Sequence, residues 1–286
     1  MGARSLAFSY WTRSHLWSRV WQRIQSDDCV DLAAQISFFF SLSLFPFCLV
    51  LAVMVGRLPS TTLWTAFATW IVTYLPSDSQ RLIFSTILGL ANYPAGFLSF
   101  GLITAVWSAS AGFVSLMESL SIVYGVKETR AYWRKHAIAA CVTLLAMAFF
   151  LTAFGVLALG HWGFNWFAGD LGGWNPPPTI WKAGRWLATL FFLCLGVDLV
   201  NYVLPGMRRP WHWLTPGTAF VVLGLVVSSA GFNVYVRHFS SYPRVYGAIG
   251  GFIILMLWIY MASLILLVGA ETDREIETRT GETRPE

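Results

Sequence analysis

The sequence predicts an all-α protein: a polytopic membrane bundle of about six transmembrane helices, with two short amphipathic helices on its outer side. The strongest observation lies near the C-terminus, where no Asp, Glu, Lys or Arg occurs between Arg244 and Glu271. A helix rises about 1.5 Å per residue, so this stretch can cross a hydrocarbon layer of roughly 30 Å. The composition agrees, because 56% of the residues are hydrophobic and only 12% are charged, whereas soluble domains carry about 25% charged residues.

Charged residues divide the apolar sequence into six predicted spans. These occupy residues 32–55, 97–124, 136–159, 181–204, 214–236 and 246–270. The first begins after Asp31 and ends before Arg57, and we expect it to act as an uncleaved targeting signal. Pro46 lies inside it and predicts a kink, because proline removes one helical hydrogen bond.

Residues 58–94 are predicted to form two short helices that do not span the membrane. Threonine recurs every four residues from Thr61 to Thr73 and forms a polar stripe, while large apolar side chains lie mainly on the other side. Such a helix more often lies in the interface or lines a cavity than crosses lipid. Because residues 58–77 carry no charge, a seventh span is the alternative.

The distribution of basic residues predicts the orientation. Thirteen Lys and Arg residues fall on the side that holds both termini, and six fall on the other side. The excess belongs in the cytoplasm, so we expect a multi-pass protein of the bacterial inner membrane with both termini cytoplasmic. The predicted domains are a cytoplasmic basic segment (1–31), the transmembrane bundle (32–270) and a cytoplasmic charged tail (271–286). The tail alternates acids and bases, so it is expected to be a frayed helix or disordered.

Several function classes are disfavoured by the sequence. No HExxH, GxSxG or P-loop motif occurs, so we expect neither an enzyme nor a cofactor. The four cysteines form no CxxC pair and are expected to be packing residues, with no metal site. Basic residues lie between the spans rather than in one patch, which favours membrane lipids as partners over nucleic acid.

Polar residues inside the predicted spans are the candidate functional residues, because a charge at membrane depth costs several kcal/mol unless it is paired or hydrated. Asp198 lies deep in the fourth span, and Asn201 follows it by one turn. Both are candidates to line a wet cavity and bind a cation, a proton or a polar head. The alternative is that Asp198 reaches water or pairs with Arg208 or Arg209.

Three further polar residues complete the candidate cavity or substrate-binding set. They are Glu118 in the second span, Gln35 in the first and Asn233 in the fifth. Glu118 has an alternative reading as the ion-pair partner of Lys127 or as an interfacial charge. Glu271 ends the sixth span beside basic residues and is expected to be an interfacial charge.

Small residues cluster in several spans. Residues 108–112 read SASAG, residues 228–231 read SSAG, and Gly247 and Gly251 form a GxxxG motif. Such residues let helices approach closely, so packing is their expected role, with a bent cavity lining as the alternative. Ser37 and Ser41 share one face just before Pro46, which suggests that the first span is not a plain lipid-facing rod.

Four segments resemble the BrkB/YihY family of bacterial inner-membrane proteins. They are LAAQISFFFSLSLFPF (32–47), LITAVWSASAGFVSLMESLSIVYGVKETR (102–130), NYVLPGMRRPWHWLTPG (201–217) and FNVYVRHFSSYPRVYGAIGG (232–251), the last followed by LWIYMASLILLVGAE (257–271). The resemblance covers roughly residues 20–275 and implies about six spans. It also implies links to serum resistance, virulence and envelope lipid or lipopolysaccharide traffic. An old ribonuclease label of the family is a mislabel, and no agreed catalytic residues carry over. Ser121 stands where relatives often have Asn.

Three functions follow as expectations. The first is transport or flipping of a lipid or another amphipathic envelope molecule, with Asp198 and Asn201 as the polar contact and the outer helices as its gate. The second is a non-catalytic scaffolding protein, a homo-oligomer that holds envelope partners. The third, a membrane enzyme acting on lipid, is the weakest, because it needs two ionisable groups converging on one pocket.

Overall fold

The computed structural model describes residues 14–56, 69, 103, 106–146, 148–149, 178–206, 213–238 and 242–280. In these ranges the chain is helical, with short turns and no strand, so the all-α prediction is confirmed for them. The two amphipathic helices predicted at 58–94 lie outside the described residues, apart from Thr69.

The described helices are α1 (Ser14–Ser26), α2 (Cys29–Gly56), α3 (Ala111–Val123), α4 (132–146), α5 (Pro178–Val203), α6 (Pro216–His238) and α7 (Tyr242–Thr280). Helices α2 to α7 overlap the six predicted spans in order. Two stretches, Val106–Val123 and Phe252–Arg279, are long and apolar enough to cross a membrane. Shorter apolar helices are Cys29–Ser43, Thr189–Val203 and Pro216–Phe232. A membrane helical protein therefore agrees with the structure, and the count of six spans stays a prediction.

Local sequence signals explain where several helices begin and end. Asp28, with φ of +48°, forms the turn between α1 and α2. Gly125, with φ of +67°, ends α3, because glycine adopts this conformation without a steric penalty. Thr215 precedes α6, and its hydroxyl accepts a hydrogen bond from the N–H of Thr218 at 3.1 Å. Pro216 then takes the first helical position, where its missing N–H removes no helical hydrogen bond.

The chain forms two compact units. The first contains residues 1–42, 112–135 and 187–286, and it holds every contact of the candidate site described below. The second contains residues 43–111 and 136–186. In the second unit, the indole of Trp107 stacks on the ring of His136 with 4.7 Å between the ring centroids.

Helices α5, α6 and α7 pack together in the first unit. Val197 of α5 and Val221 of α6 are buried, and Ile265 of α7 packs against them. Glycines bring α6 and α7 very close. A Cβ atom added to Gly217 would lie 2.2 Å from the carbonyl oxygen of Gly269. By contrast, no described residue lies within 4 Å of such an atom at Gly231, so the close packing predicted for the 228–231 motif is not seen at this glycine.

Both ends of the described chain differ from expectation. The N-terminal segment, for which the sequence predicts only a basic segment, contains the helix α1. At the other end, α7 continues past the apolar stretch to Thr280, and Asp273, Glu275 and Ile276 are buried. The expectation of a frayed or disordered tail was therefore wrong as far as Thr280, because its charges are paired with residues far away in the sequence.

Candidate functional site

The two candidates on α5, Asp198 and Asn201, are both buried near the end of that helix. The hydroxyl of Thr218 donates a short hydrogen bond to Oδ1 of Asp198. The backbone N–H of Leu214 donates to Oδ2 at 3.1 Å. Asp198 therefore holds the start of α6 against the end of α5, and its contact with a substrate stays a prediction. The alternative partners at 208–209 lie outside the described residues.

A second carboxylate, Asp273 of α7, binds the same end of α6. The hydroxyl of Thr215 donates to its Oδ2 at 2.6 Å, and the N–H of Gly217 donates to its Oδ1 at 2.7 Å. The hydroxyl oxygens of Thr215 and Thr218 lie 2.8 Å apart, so the two carboxylate contacts are adjacent. The first N–H groups of a helix lack intrahelical partners and carry partial positive charge, so they attract carboxylates. We call Asp198, Thr215, Gly217, Thr218 and Asp273 the capping cluster.

The remaining candidates are not brought to the capping cluster by any contact described. Glu118 forms an ion pair with Lys135 at 2.6 Å, so its partner is at the start of α4 and is not Lys127. Gln35 is exposed on α2. The side chain of Asn233 lies outside the described residues. Of the five predicted site residues, the structure thus places Asp198 and Asn201 together on one buried helix end.

The loop after α3 is joined to the end of α5 through Arg130. Its guanidinium donates to the carbonyl oxygen of Leu204 at 3.1 Å, and its Nε lies 3.6 Å from Oε1 of Glu128. The other oxygen of Glu128 lies 3.2 Å from the hydroxyl of Ser121. Ser121 therefore lies beside the Arg130–Glu128 pair and contributes to holding this loop.

Arg274 of α7 reaches the ends of two other helices. It donates to the carboxylate of Asp27 at 2.8 Å and makes a short hydrogen bond to the carbonyl oxygen of Val123. Its guanidinium lies so close to Gly125 that an added Cβ atom would be 2.5 Å from Nη2. Glu271, one turn earlier, is fully buried (0% exposed), with Oε1 3.9 Å from Arg274. Glu271 is thus covered by protein, and its expected place at the membrane interface stays a prediction.

Helix α1 is attached to α7 by apolar packing and ion pairs. Leu16 and Val20 pack against Ile276, and all three are buried. The carboxylate of Glu275 lies 3.6 Å from Arg19 and 3.1 Å from Arg23. The hydrophobic contact and the two ion pairs together determine which side of α1 faces the rest of the unit.

Buried hydroxyl groups lie on the helices α2 and α3. The ring centroids of Phe40 and Phe113 are 5.1 Å apart, so these two helices contact each other. Ser119 is bonded to the carbonyl oxygen of Ser115 on its own helix, as serines in apolar helices commonly are. The hydroxyl oxygens of Ser41 and Ser115 are buried and have no hydrogen-bond partner among the residues that the structure describes.

Sequence reasoning missed most of these contacts, although two signals were available. The segment TPGT at 215–218 is typical of a helix start, because threonine precedes a proline at the first helical position. Leu16, Val20 and Ile24 recur every four residues, which is typical of an amphipathic helix. Within the described ranges, no group of three His, Cys, Asp or Glu residues is placed to hold a metal ion. The contacts described for the capping cluster are hydrogen bonds from hydroxyl and backbone N–H groups to two carboxylates.

Comparison with known sequences gives a consistent assignment. The family described as virulence factor BrkB matches residues 20–286. The chain is 30% identical over 249 residues to the ribonuclease-like protein YfkH of Bacillus subtilis (strain 168), covering 86% of this chain and 90% of that relative. The word ribonuclease in that name is the mislabel noted above.

Other relatives are named as membrane proteins. The chain is 28% identical over 260 residues to a UPF0761 membrane protein of Laribacter hongkongensis (strain HLHK9), covering 88% of this chain but only 58% of that relative. A UPF0761 membrane protein of Tolumonas auensis is 39% identical over 82 residues, which are 28% of this chain and 27% of that relative. No solved structure is significantly similar to the chain. The chain therefore belongs to the virulence factor BrkB family, a family of membrane proteins.

Proposed function

We propose that this protein moves a lipid or another amphipathic envelope molecule across the bacterial inner membrane. The observation that supports this most is the pair of buried hydroxyls at Ser41 and Ser115, on apolar helices that contact each other. A passage for a polar headgroup needs polar groups inside an otherwise apolar bundle. A helix that only packs against its neighbours does not need them.

The burial of these two hydroxyls has an energetic cost. A buried polar group without a hydrogen bond destabilises a protein by about 1–3 kcal/mol. Ser37 and Ser119 avoid this because each donates to a backbone carbonyl of its own helix. Ser41 and Ser115 have no such bond among the described residues. A headgroup or water in a passage between these helices would supply the partner.

Asp198 and Asn201 have a defined place in this proposal. Both are buried near the end of α5, and Asp198 contacts the start of α6. A headgroup that leaves the bundle at this end would meet Asn201 first as a neutral donor and acceptor. Asp198, which accepts hydrogen bonds from Leu214 and Thr218, would then respond by releasing the start of α6. The outer helices at 58–94 are proposed as the gate on the opposite side.

The experiment is a lipid-movement assay in proteoliposomes. A fluorescent nitrobenzoxadiazole-labelled phosphatidylethanolamine is placed in both leaflets, and dithionite bleaches the label that reaches the outside. We expect the protein to accelerate bleaching of inner-leaflet label, and Ser115→Ala to slow this movement. Ser119→Ala is the matched control on the same helix, because its hydroxyl is already bonded. No acceleration by the wild-type protein over protein-free vesicles, with either phosphatidylethanolamine or phosphatidylglycerol, would contradict the proposal.

A scaffolding role is the second candidate, and the contact between α6 and α7 favours it. Three glycines on these helices, Gly217, Gly224 and Gly269, have no room for a side chain. The capping cluster adds hydrogen bonds at the same end. Such an end is rigid, as expected of a protein that holds partners, and the family's description as a virulence factor fits a role at the envelope. A folded oligomer that moves no lipid would favour this role over transport.

A further inference from the structure

We propose that α1 is an interfacial helix whose Trp17 and Trp21 insert into the headgroup region of the phospholipid bilayer beside the first turns of α6. This inference concerns how the N-terminal segment meets the membrane. It does not depend on the proposed transport of lipid.

Contacts with α7 determine which side of α1 faces outward. Leu16 and Val20 face α7, and Arg19 and Arg23 pair with Glu275 on one flank of that contact. At 100° per residue, the two tryptophans then lie together on the other flank, because they are four residues apart. The side chain of Trp21 is 61% exposed and that of Trp17 is 40% exposed.

The second argument is the neighbour that lies on this flank. The ring centroid of Trp17 is 5.9 Å from that of Phe220, in the first turns of α6. Phe220, Leu223 and Val227 are spaced by three and four residues, so they follow one face of α6. Leu223 is 70% exposed and Val227 is 64% exposed. A long, exposed apolar face on a helix of a membrane protein is its lipid-facing side. Trp17 therefore extends this lipid-facing side at the N-terminal end of α6.

The segment that leads into α6 also carries exposed aromatic and apolar side chains. Trp213 and Leu214, immediately before α6, are exposed as well. Tryptophan prefers the headgroup level of a bilayer, because its ring is apolar while its N–H can remain hydrated. Exposed tryptophans therefore occur both on α1, where Trp17 contacts α6, and in the segment that leads into α6. A bilayer surface covers such residues without requiring another protein.

The remaining side of α1 behaves as a water-facing side. Gln22 and Ser26 are exposed, polar and turned away from both the core contact and the tryptophans. Helix α1 thus shows three distinct sides: one packed on α7, one aromatic and one polar. This division is typical of a helix that lies in the membrane interface.

The test uses the full chain in nanodiscs of phosphatidylethanolamine and phosphatidylglycerol. The photoreactive residue p-benzoylphenylalanine replaces Trp21 in one variant and Gln22 in the matched control, and intact-protein mass spectrometry detects lipid adducts. We expect several-fold more phospholipid adduct at position 21 than at position 22. Equal adduct at the two positions, or crosslinking of position 21 to a second protein chain, would overturn the proposal. Trp21 is exposed, so folding should survive. If it does not, Trp17 with Ser18 as its control gives the same comparison.

Discussion

The close approach of α6 and α7 gives the sharpest prediction of stability. In the variant Gly217→Ala, the new methyl group would lie 2.2 Å from the carbonyl oxygen of Gly269 and 2.5 Å from Cγ of Asp273. Both distances are far below van der Waals contact, so the two helices must separate. Separation also weakens the hydrogen bond from the N–H of Gly217 to Asp273, which is 2.7 Å long.

The magnitude follows from three contributions. Overpacking of a close contact destabilises by about 1–3 kcal/mol, and a hydrogen bond to a charged group contributes about 1.5–3 kcal/mol. Replacing a helical glycine by alanine returns about 0.5–1 kcal/mol. The net loss is therefore about 2–4 kcal/mol, which corresponds to a fall in melting temperature of roughly 5–15 °C.

Thermal unfolding in detergent, followed by the emission of the 15 tryptophans, measures this change. The control is Gly231→Ala on the same helix, where nothing lies within 4 Å of the added atom. We expect this variant to melt at or slightly above the wild-type temperature, because only the helix preference changes. If Gly217→Ala melted with the wild type, the described contact of α6 with α7 would be wrong.

The same melting assay tests three further residues. Thr215→Ala should destabilise the protein by about 1–2 kcal/mol, because the cap of α6 and the hydrogen bond to Asp273 are lost. Thr215→Ser keeps a hydroxyl and should retain most of the wild-type stability. The control Thr278→Ala, at an exposed position, should change stability little. Arg274→Met should lower the stability by about 2 kcal/mol, which is less than the loss of a fully buried ion pair because the arginine side chain is 26% exposed. An unchanged melting temperature would refute the role of Arg274 as a link between helices. Glu271→Gln should stabilise by about 1 kcal/mol, because the side chain is fully buried and a neutral amide loses less hydration on burial than a carboxylate. A clear loss of stability would contradict this.

The course of the helices could be predicted because it depends on local composition. The uncharged stretch that ends before Glu271 marks α7, and the charges at Asp31 and Arg57 bracket most of α2. These patterns could not predict which distant residues form ion pairs and hydrogen bonds at the helix ends. Glu275 pairs with Arg19 and with Arg23, which lie at the opposite end of the sequence.

Small-residue motifs show the same limit. The motif at 228–231 predicted close packing, but no described residue lies within 4 Å of a Cβ atom added at Gly231, while Gly217, Gly224 and Gly269 are crowded. A motif reports that close approach is allowed, and only the fold decides which face meets a neighbour. The Gly247–Gly251 motif stays a prediction.

The candidate site was predicted only in part. Asp198 and Asn201 were found because they interrupt an apolar helix. Asp273 was not found, because in the sequence it is one charge in a mixed tail, and only the fold brings it to the start of α6. The sequence also could not distinguish Ser41 and Ser115 from Ser119, because it does not show which serine hydroxyl forms a hydrogen bond.

A structure of the protein in lipid nanodiscs by electron cryomicroscopy tests the central claim most directly. The account predicts density for water or a lipid headgroup at hydrogen-bonding distance, about 2.7–3.2 Å, from the hydroxyl oxygens of Ser41 and Ser115. If both hydroxyls instead donate to protein atoms in a sealed, apolar interior, the claim that they line a passage for an amphipathic molecule is contradicted.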